Sequence, residues 1–199
     1  TDLLSNLFFG KEAKGVEDPY GLYDGYFAHI ERDINAGRIS VKNHNYQELD
    51  PINGVDPEAD YDTALKFYQN LDPKMKMQRE ILIYCSETTL GHIARGYNMK
   101  YQGMQTASVL DPTFRFFEMP KARFVSHAAM GEGDCLIATL PYNLDFGSDM
   151  TGSVTDSTIK MANDQNDFNV LIFQIQTAQG TRIRRISSDV FCVSSGKNT

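Results

Sequence analysis

Residues 56–73, DPEADYDTALKFYQNLDP, contain the clearest structural signals in the chain. The pairs Asp56-Pro57 and Asp72-Pro73 are typical of helix starts, because the carboxylate caps free N–H groups and proline fits the first turn. The first pair predicts one helix, and the second predicts another that runs through Leu82 to about Tyr84. Apolar residues at helical spacing support the first helix: Tyr61, Ala64, Leu65, Tyr68 and Leu71.

Helical patterns also flank this region. One predicted helix covers Tyr20 to Ala36, and Gly37 follows it as a left-handed C-terminal cap. A later one covers Leu90 to Tyr101, where Gly91 and Gly96 weaken the helical pattern. We therefore expect three to four helices by residue 101.

The second half of the chain has strand signals instead. Phe114 and Phe116 occupy alternate positions, and residues 135–140 form an apolar run of strand length. Residues 170–177 and 182–193 flank a turn that contains glycine, which predicts a β-hairpin. The predicted fold class is α+β: a helical half packs with a β-rich half that contains an antiparallel hairpin.

The two halves are expected to form one compact unit, with residues 1–108 helical and 109–199 rich in β-structure. An apolar N-terminal arm, which includes Leu4, Phe8 and Phe9, needs a surface to dock against, either the chain's own core or a partner. Tyr142 to Asp167 is predicted to be a long acidic loop, and its order and any cation binding stay open.

Composition excludes several functional classes. The 199 residues are 41% hydrophobic and 23% charged, which suits a folded domain and not a disordered chain. No run approaches the roughly 18 apolar residues needed to span a bilayer. The net charge of −7 disfavours nucleic acid, since phosphates repel acidic chains. Seven acidic residues and one lysine lie between residues 124 and 181, so this stretch carries most of the charge.

The cysteines indicate a reducing compartment. Cys85, Cys135 and Cys192 are odd in number, widely spaced and next to apolar residues, which is typical of buried thiols. We expect the cytoplasm or an organelle stroma. Because the first residue is Thr1, prior removal of a leader segment is compatible with this expectation.

The sequence contains no catalytic or metal-binding motif. The four histidines lack metal-ligand spacing, and Ser157-x-x-Lys160 occurs without the other elements of serine–lysine enzymes. No cofactor is predicted either. For an enzyme of an unrecognised type, His92, His127 and Asp134 are the first suspects.

Aromatic residues and methionine are abundant, with 10 Tyr, 12 Phe and 8 Met. Such residues fill ordinary cores, but they are also enriched in protein interfaces, as is arginine. These residues form the candidate interface: Leu4, Phe8, Phe9, Tyr97, Tyr101, Phe114, Phe116, Phe117, Arg182, Arg184 and Arg185.

Two parts of the chain resemble phycobilisome linker polypeptides. The first is residues 31–42, ERDINAGRISVK. The second combines residues 172–176, IFQIQ, with residues 184–193, RRISSDVFCV, and resembles the first hairpin of the small linker-associated domain. The resemblance implies a colourless protein that organises the subunits of a light-harvesting antenna.

Three functions follow in order of preference. The first is a non-catalytic structural or linker-type subunit of a larger assembly, either an antenna or a virion, with other protein subunits as partners and a homo-oligomer as an allowed state. The second is a module that binds a small molecule or pigment in a pocket lined by Phe114, Phe116, Leu136 and Phe173. The third is an unrecognised enzyme.

Overall fold

The computed structural model of the chain describes residues 24–101, 114–127, 130, 134–148, 157–161, 171–175 and 179–195. Within these residues, four α-helices and a 3-10 helix lie in the first half of the chain. None of the helices in the described residues is both long and apolar enough to cross a membrane. The helices are α1 (Tyr26–Asn35), the 3-10 helix (Val41–Asn43), α2 (Pro57–Gln69), α3 (Pro73–Met77) and α4 (Glu87–Lys100).

The strands form one five-stranded sheet and two separate antiparallel pairs. The order in the large sheet is β1-β9-β4-β2-β3, while β5 pairs with β8 and β6 pairs with β7. The predicted α+β class is confirmed. In the described residues the strands are β1 (Tyr46–Gln47), β2 (Ile81–Cys85), β3 (Ala122–Ser126), β4 (Ile137–Thr139), β5 (Leu144–Ser148), β6 (Ser157–Met161), β7 (Leu171–Ile175), β8 (Gln179–Ile183) and β9 (Phe191–Ser194).

The register of the large sheet brings three strand ends to one edge. β2 is parallel to β3, with Ile81 opposite Ala122. β4 is antiparallel to β2, with Thr139 opposite Leu82. The beginnings of β2 and β3 therefore lie beside the end of β4. The chain segments that enter and leave these strands meet at this edge.

The two helix starts predicted at the Asp-Pro pairs are confirmed, whereas α1 begins at Tyr26 and not at Tyr20, since Gly25 is its extended N-cap. The Asp56 carboxylate accepts a hydrogen bond from the Ala59 N–H at 3.3 Å, and the Asp72 carboxylate accepts one from the Lys74 N–H at 2.8 Å. Gly37 follows α1 with φ +70°, the left-handed conformation predicted for a C-terminal cap.

The prediction that the second helix runs to Tyr84 is wrong, because α3 ends at Met77 and residues 81–85 form β2. This strand lies between β4 and β3, and four of its five residues are buried. A central strand is apolar on both faces, so its sequence lacks the alternation that distinguishes a strand from a helix. The strand signal at Phe114 and Phe116 is also wrong, since residues 114–121 form turns and irregular structure.

The two segments predicted to form a hairpin, residues 170–177 and 182–193, do not pair with each other. β7 pairs with β6, with Phe173 opposite Ile159, and β8 pairs with β5. β9 instead enters the large sheet between β4 and β1. The stretch from Tyr142 to Asp167, predicted as a loop, thus contains β5 and β6. Its residues 149–156 and 162–167 lie outside the described part of the chain.

The hydrophobic core has one cluster on each face of the large sheet. α2 and α4 cover one face, where Tyr61, Phe67 and Ile93 are buried. α1 covers the other face with Tyr26 and Ile30. Neighbouring strand residues alternate between the clusters, since successive side chains of a strand point to opposite faces. This alternation places Leu136 and Ala138 in the first cluster and Cys135 and Ile137 in the second.

Candidate docking surface

A cleft of about 720 Å³ opens at the sheet edge where β2 and β3 begin and β4 ends. Three segments that are distant in sequence form its walls. Each segment enters or leaves a strand of the large sheet, so the sheet register determines the shape of the cleft. The lining residues are Gln78, Arg79, Glu80, Arg115, Pro120, Lys121, Leu140, Pro141 and Tyr142.

One carboxylate holds two guanidinium groups at this edge. Glu80 Oε1 accepts a hydrogen bond from Arg115 at 2.6 Å and another from Arg123 Nε at 3.1 Å. Arg115 also donates to the Phe114 carbonyl oxygen at 2.7 Å, which fixes the direction of its side chain. These hydrogen bonds place one carboxylate between two guanidinium groups among the described residues.

Two further cations line the cleft. The Lys121 ammonium donates to the Lys76 carbonyl oxygen at 2.7 Å, a contact that leaves its charge uncompensated. Arg79 is exposed and makes no hydrogen bond or ion pair within the part of the chain that the structure describes. Among the described residues, the lining includes three cations and one carboxylate, on a chain whose net charge is −7. Such a patch attracts acidic groups.

Large apolar side chains are exposed beside these charges. Tyr142 is 85% exposed on the cleft wall, and Phe117, in the turn between Arg115 and Pro120, is 78% exposed. Met77 immediately precedes the lining segment and is also 78% exposed. Rings and guanidinium groups that share one surface are typical of protein interface hot spots. We call Met77, Arg79, Arg115, Phe117, Lys121 and Tyr142 the cleft surface.

Tyr142 has an unusual backbone conformation. Its φ is +68°, in the left-handed region that favours glycine. Hydrogen bonds of its neighbour hold this turn, because buried Asn143 donates through Nδ2 to the Arg185 carbonyl oxygen at 2.9 Å and accepts from the Arg185 N–H at 3.0 Å. A bulky residue that keeps a costly conformation while its ring faces solvent is a candidate for a contact with another molecule.

The predicted basic cluster of Arg182, Arg184 and Arg185 lies close to this turn. The Arg184 N–H donates to the Asn143 carbonyl oxygen at 2.9 Å, so the cluster is next to the Tyr142 turn. Arg184 pairs with Asp145 at 2.5 Å, and Arg185 pairs with Asp189 at 3.4 Å. Both guanidinium groups are exposed, as is Arg182 on β8.

The other predicted interface residues fall into three groups. Phe117 is exposed, whereas Tyr101 and Phe114 are partly buried. Tyr97 is 5% exposed and Phe116 is 1% exposed, so their side chains belong to the core and not to an accessible surface. The abundance of aromatic residues in the sequence did not show which of these side chains are exposed and which are buried. Leu4, Phe8 and Phe9 lie outside the described residues.

Five residues of the cleft surface were missed by sequence reasoning: Met77, Arg79, Arg115, Lys121 and Tyr142. They come from separate segments, and only the sheet register brings them together. A weak signal was present, since Arg79 lies two residues before the apolar run of residues 81–85.

The predicted ligand pocket coincides with the core. Phe116 meets Phe114 edge to face, with ring centroids 5.0 Å apart, and Phe124 in the same way at 5.2 Å. Leu136 is fully buried in the same cluster. Phe116 and Leu136 are therefore packed core residues and not the walls of an opening. Phe173 lies in β7, and its side chain is outside the described part of the structure.

The three suspected catalytic residues lie in structural contacts. The His92 ring packs against Gly54, where an added side chain would collide with it. The His127 N–H donates to the Cys85 carbonyl oxygen at 3.1 Å at the end of β3. Asp134 accepts from the Ile52 N–H at 3.3 Å. Across the described ranges, no group of three or more His, Cys, Asp or Glu side chains is arranged to hold a metal ion.

A hydrogen-bond network attaches the Arg115–Phe117 segment to the helices. Buried Tyr61 on α2 donates from its hydroxyl to Glu118 Oε2 at 3.0 Å, and burial together with this bond raises the pKa of Tyr61 well above its usual range. Lys100 on α4 pairs with Asp62 at 2.7 Å and lies 3.9 Å from Glu118. This network positions the turn that presents Phe117.

No family model, curated protein or solved structure matches this chain. In the structure, residues 31–42, which resemble phycobilisome linkers, cover the end of α1 and the 3-10 helix. The other two resembling segments contribute β7 and β9, which belong to different sheets and do not pair with each other. The chemistry of the cleft surface is therefore the main basis for assigning a function.

Proposed function

We propose that this protein is a non-catalytic structural subunit of a larger protein assembly, and that the cleft surface docks a neighbouring subunit. The observation that carries this proposal is the concentration of exposed Phe117 and Tyr142 around a cationic cleft on an acidic chain. A solvated enzyme pocket does not need exposed rings at its rim, but a protein interface gains from burying them.

The expected energetics support docking. Full burial of one large apolar side chain contributes roughly 1.5–3 kcal/mol, so Phe117, Tyr142 and Met77 together supply several kcal/mol against the cost of association. The exposed guanidinium group of Arg79 adds directional bonds to a partner carboxylate. The cationic charge also raises the rate of encounter with an acidic surface.

Two host assemblies are proposed. The linker resemblance supports a light-harvesting antenna, and a virion is the alternative. Three buried free thiols support our proposal that the assembly forms in a reducing compartment. Visible absorbance of the purified assembly distinguishes the hosts, since an antenna contains pigment and a virion does not.

Sedimentation velocity of the isolated chain tests the proposed function. We expect the wild-type protein to form oligomers as its concentration rises and Phe117→Asp to remain monomeric, because the substitution places a carboxylate where a ring is buried on docking. Val55→Asp is the matched control, since Val55 is 84% exposed and does not line the cleft. Equal oligomerisation of Phe117→Asp and wild type would contradict the proposal.

A further inference from the structure

We infer that β3, the outer strand of the large sheet, pairs with β3 of a second copy of this chain across a two-fold axis. This inference rests on the proposed function and identifies the neighbouring subunit. The contact is made by backbone groups of residues 124–126, which the structure describes.

Only one side of β3 has a strand partner among the described strands. β3 is the last strand in the order β1-β9-β4-β2-β3 and pairs with β2. The Lys121 carbonyl oxygen accepts from the Ile81 N–H at 2.9 Å, and the His127 N–H donates to the Cys85 carbonyl oxygen at 3.1 Å. The backbone groups of the odd-numbered residues of this stretch therefore face β2.

The even-numbered residues of β3 present their backbone groups away from the sheet, since successive residues of a strand alternate in direction. Ala122 is buried, and its N–H donates to the Met119 carbonyl oxygen at 3.0 Å. Phe124 and Ser126 are half-buried. Among the described residues, nothing forms a hydrogen bond with the N–H or the carbonyl oxygen of Phe124 or Ser126. A partner strand can use these groups.

This edge lacks the features that usually prevent pairing with another strand. Proline, lysine or a bulge commonly blocks an exposed edge. β3 contains neither proline nor lysine, and its register with β2 runs without a bulge from Ala122 to Ser126. The guanidinium group of Arg123 turns to Glu80, with Nε 3.1 Å from Oε1. The edge is therefore open to a further strand.

A second copy of β3 matches this edge in the antiparallel orientation. With the two-fold axis at Val125, Phe124 of each copy lies opposite Ser126 of the other. Such a pair exchanges both N–H···O=C hydrogen bonds, so every free backbone donor and acceptor of the two residues is satisfied. The two Val125 side chains then face each other in the closer type of pair, which suits β-branched residues.

The antiparallel orientation also keeps the two cationic clefts apart. Pro120 and Lys121 line the cleft and directly precede β3, so the cleft surface continues into this edge. Each Lys121 lies four residues from the axis, which separates the two by about 26 Å along the strands. A parallel pairing would place the clefts side by side. The matching surfaces are identical on both copies, so the product is a closed two-fold dimer.

Residue-resolved amide hydrogen exchange tests the strand pairing. At concentrations where the wild-type protein sediments as a dimer, the amides of Phe124 and Ser126 are expected to exchange at least about tenfold more slowly than in the dilute monomer. The Val125 amide is the internal control, because it faces β2. Its exchange is expected to be slow at both concentrations.

A proline substitution gives a second test. Ser126→Pro removes a free donor but no bond to β2, and proline is compatible with this side of an edge strand. The symmetry removes the bond twice, so we expect the variant to dimerise at least about tenfold more weakly. Ser126→Ala is the matched control, since it retains the N–H and is expected to dimerise like wild type. Circular dichroism verifies that both variants fold.

The outcomes separate this inference from the proposed function. If oligomers form and depend on Phe117, but Phe124 and Ser126 exchange equally fast in monomer and oligomer, the strand pairing is overturned and docking at the cleft surface stands. Assembly with a different protein alone would also overturn pairing with a second copy. A wild-type chain that is monomeric at every concentration, and has no protein partner in its source, contradicts both.

Discussion

Gly96 of α4 lies directly against the backbone of Pro57 at the start of α2. A Cβ atom on Gly96 would collide with the Pro57 carbonyl oxygen and would lie 2.9 Å from the Cβ of Tyr61. The two helices can therefore approach closely only if this position has no side chain. The close approach brings Tyr61 and Tyr97 into ring contact at 5.4 Å, and Tyr61 in turn holds Glu118 near the cleft.

Replacement of this glycine is expected to destabilise the fold. Gly96→Ala forces α2 and α4 apart against well-packed backbone, and we expect a loss of about 1–3 kcal/mol or more. Gly91→Ala is the matched control in the same helix, because a Cβ there meets nothing within 4 Å. This control is expected to gain roughly 0.5–1 kcal/mol, since alanine favours the helix. Urea unfolding of the two variants measures both changes, and equal effects would contradict the close helix contact.

The Tyr142 turn offers a way to separate folding from docking. Tyr142→Gly relieves the left-handed backbone, so we expect the free energy of unfolding to stay constant or rise by up to about 1 kcal/mol. It also removes the exposed ring, so association is expected to weaken. His44→Gly is the matched control, because His44 has φ +56° and does not line the cleft. Unchanged association of Tyr142→Gly, measured by sedimentation, would show that its ring makes no contact.

Aspartate substitutions distinguish core aromatic residues from surface ones. Tyr97 is buried and packs on Phe116 at 5.1 Å, so Tyr97→Asp places a charge in the core. We expect this variant to lose more than about 4 kcal/mol or to unfold. Phe117→Asp is expected to change the stability by less than about 0.5 kcal/mol, because Phe117 is exposed. Thermal unfolding gives the comparison, and a fully stable Tyr97→Asp would contradict the assigned core.

Alkaline pH is expected to destabilise the protein through its thiols. Burial raises the pKa of Cys85 and Cys135 to about 12 and that of Cys192 to about 11, from an ordinary value of 9.0. Above pH 9 the thiols ionise in the unfolded chain but not in the folded one. The contribution of the thiols to the free energy of unfolding should therefore be constant from pH 7 to about pH 8 and fall above pH 9 by about 1.4 kcal/mol per pH unit for each thiol, and the raised pKa of Tyr61 should add to the fall above about pH 10.

Urea titrations between pH 7 and pH 10.5 measure this slope. A thiol reagent added at pH 8 gives an independent test, since the three buried cysteines should react only after unfolding. Rapid labelling of folded protein would show that the thiols are accessible, in conflict with their burial.

Local signals in the sequence predicted local structure well. Asp56, Asp72 and Gly37 occupy the cap positions expected of them, because capping depends on a few neighbouring residues and on the geometry of one helix end. The apolar run of residues 81–85 was ambiguous, since a buried central strand and a buried helix segment both require unbroken hydrophobicity. Only the position of this run between β4 and β3 in the sheet identifies it as a strand.

Long-range features were not predictable from such patterns. The pairing of β9 with β4, and of β8 with β5, depends on contacts between segments far apart in the chain. The cleft has the same origin, because Arg79, Arg115 and Tyr142 become neighbours only through the sheet register. Residue type alone placed both Tyr97 and Phe117 in the candidate interface, although the fold buries Tyr97 and exposes Phe117.

Native mass spectrometry of the protein taken from its source, with an absorption spectrum of the same sample, tests the central claim most directly. A structural subunit predicts a complex that contains several protein chains, and visible absorbance would identify the host as a light-harvesting antenna. A single chain without any protein partner, at the concentration found in the source, would contradict the claim.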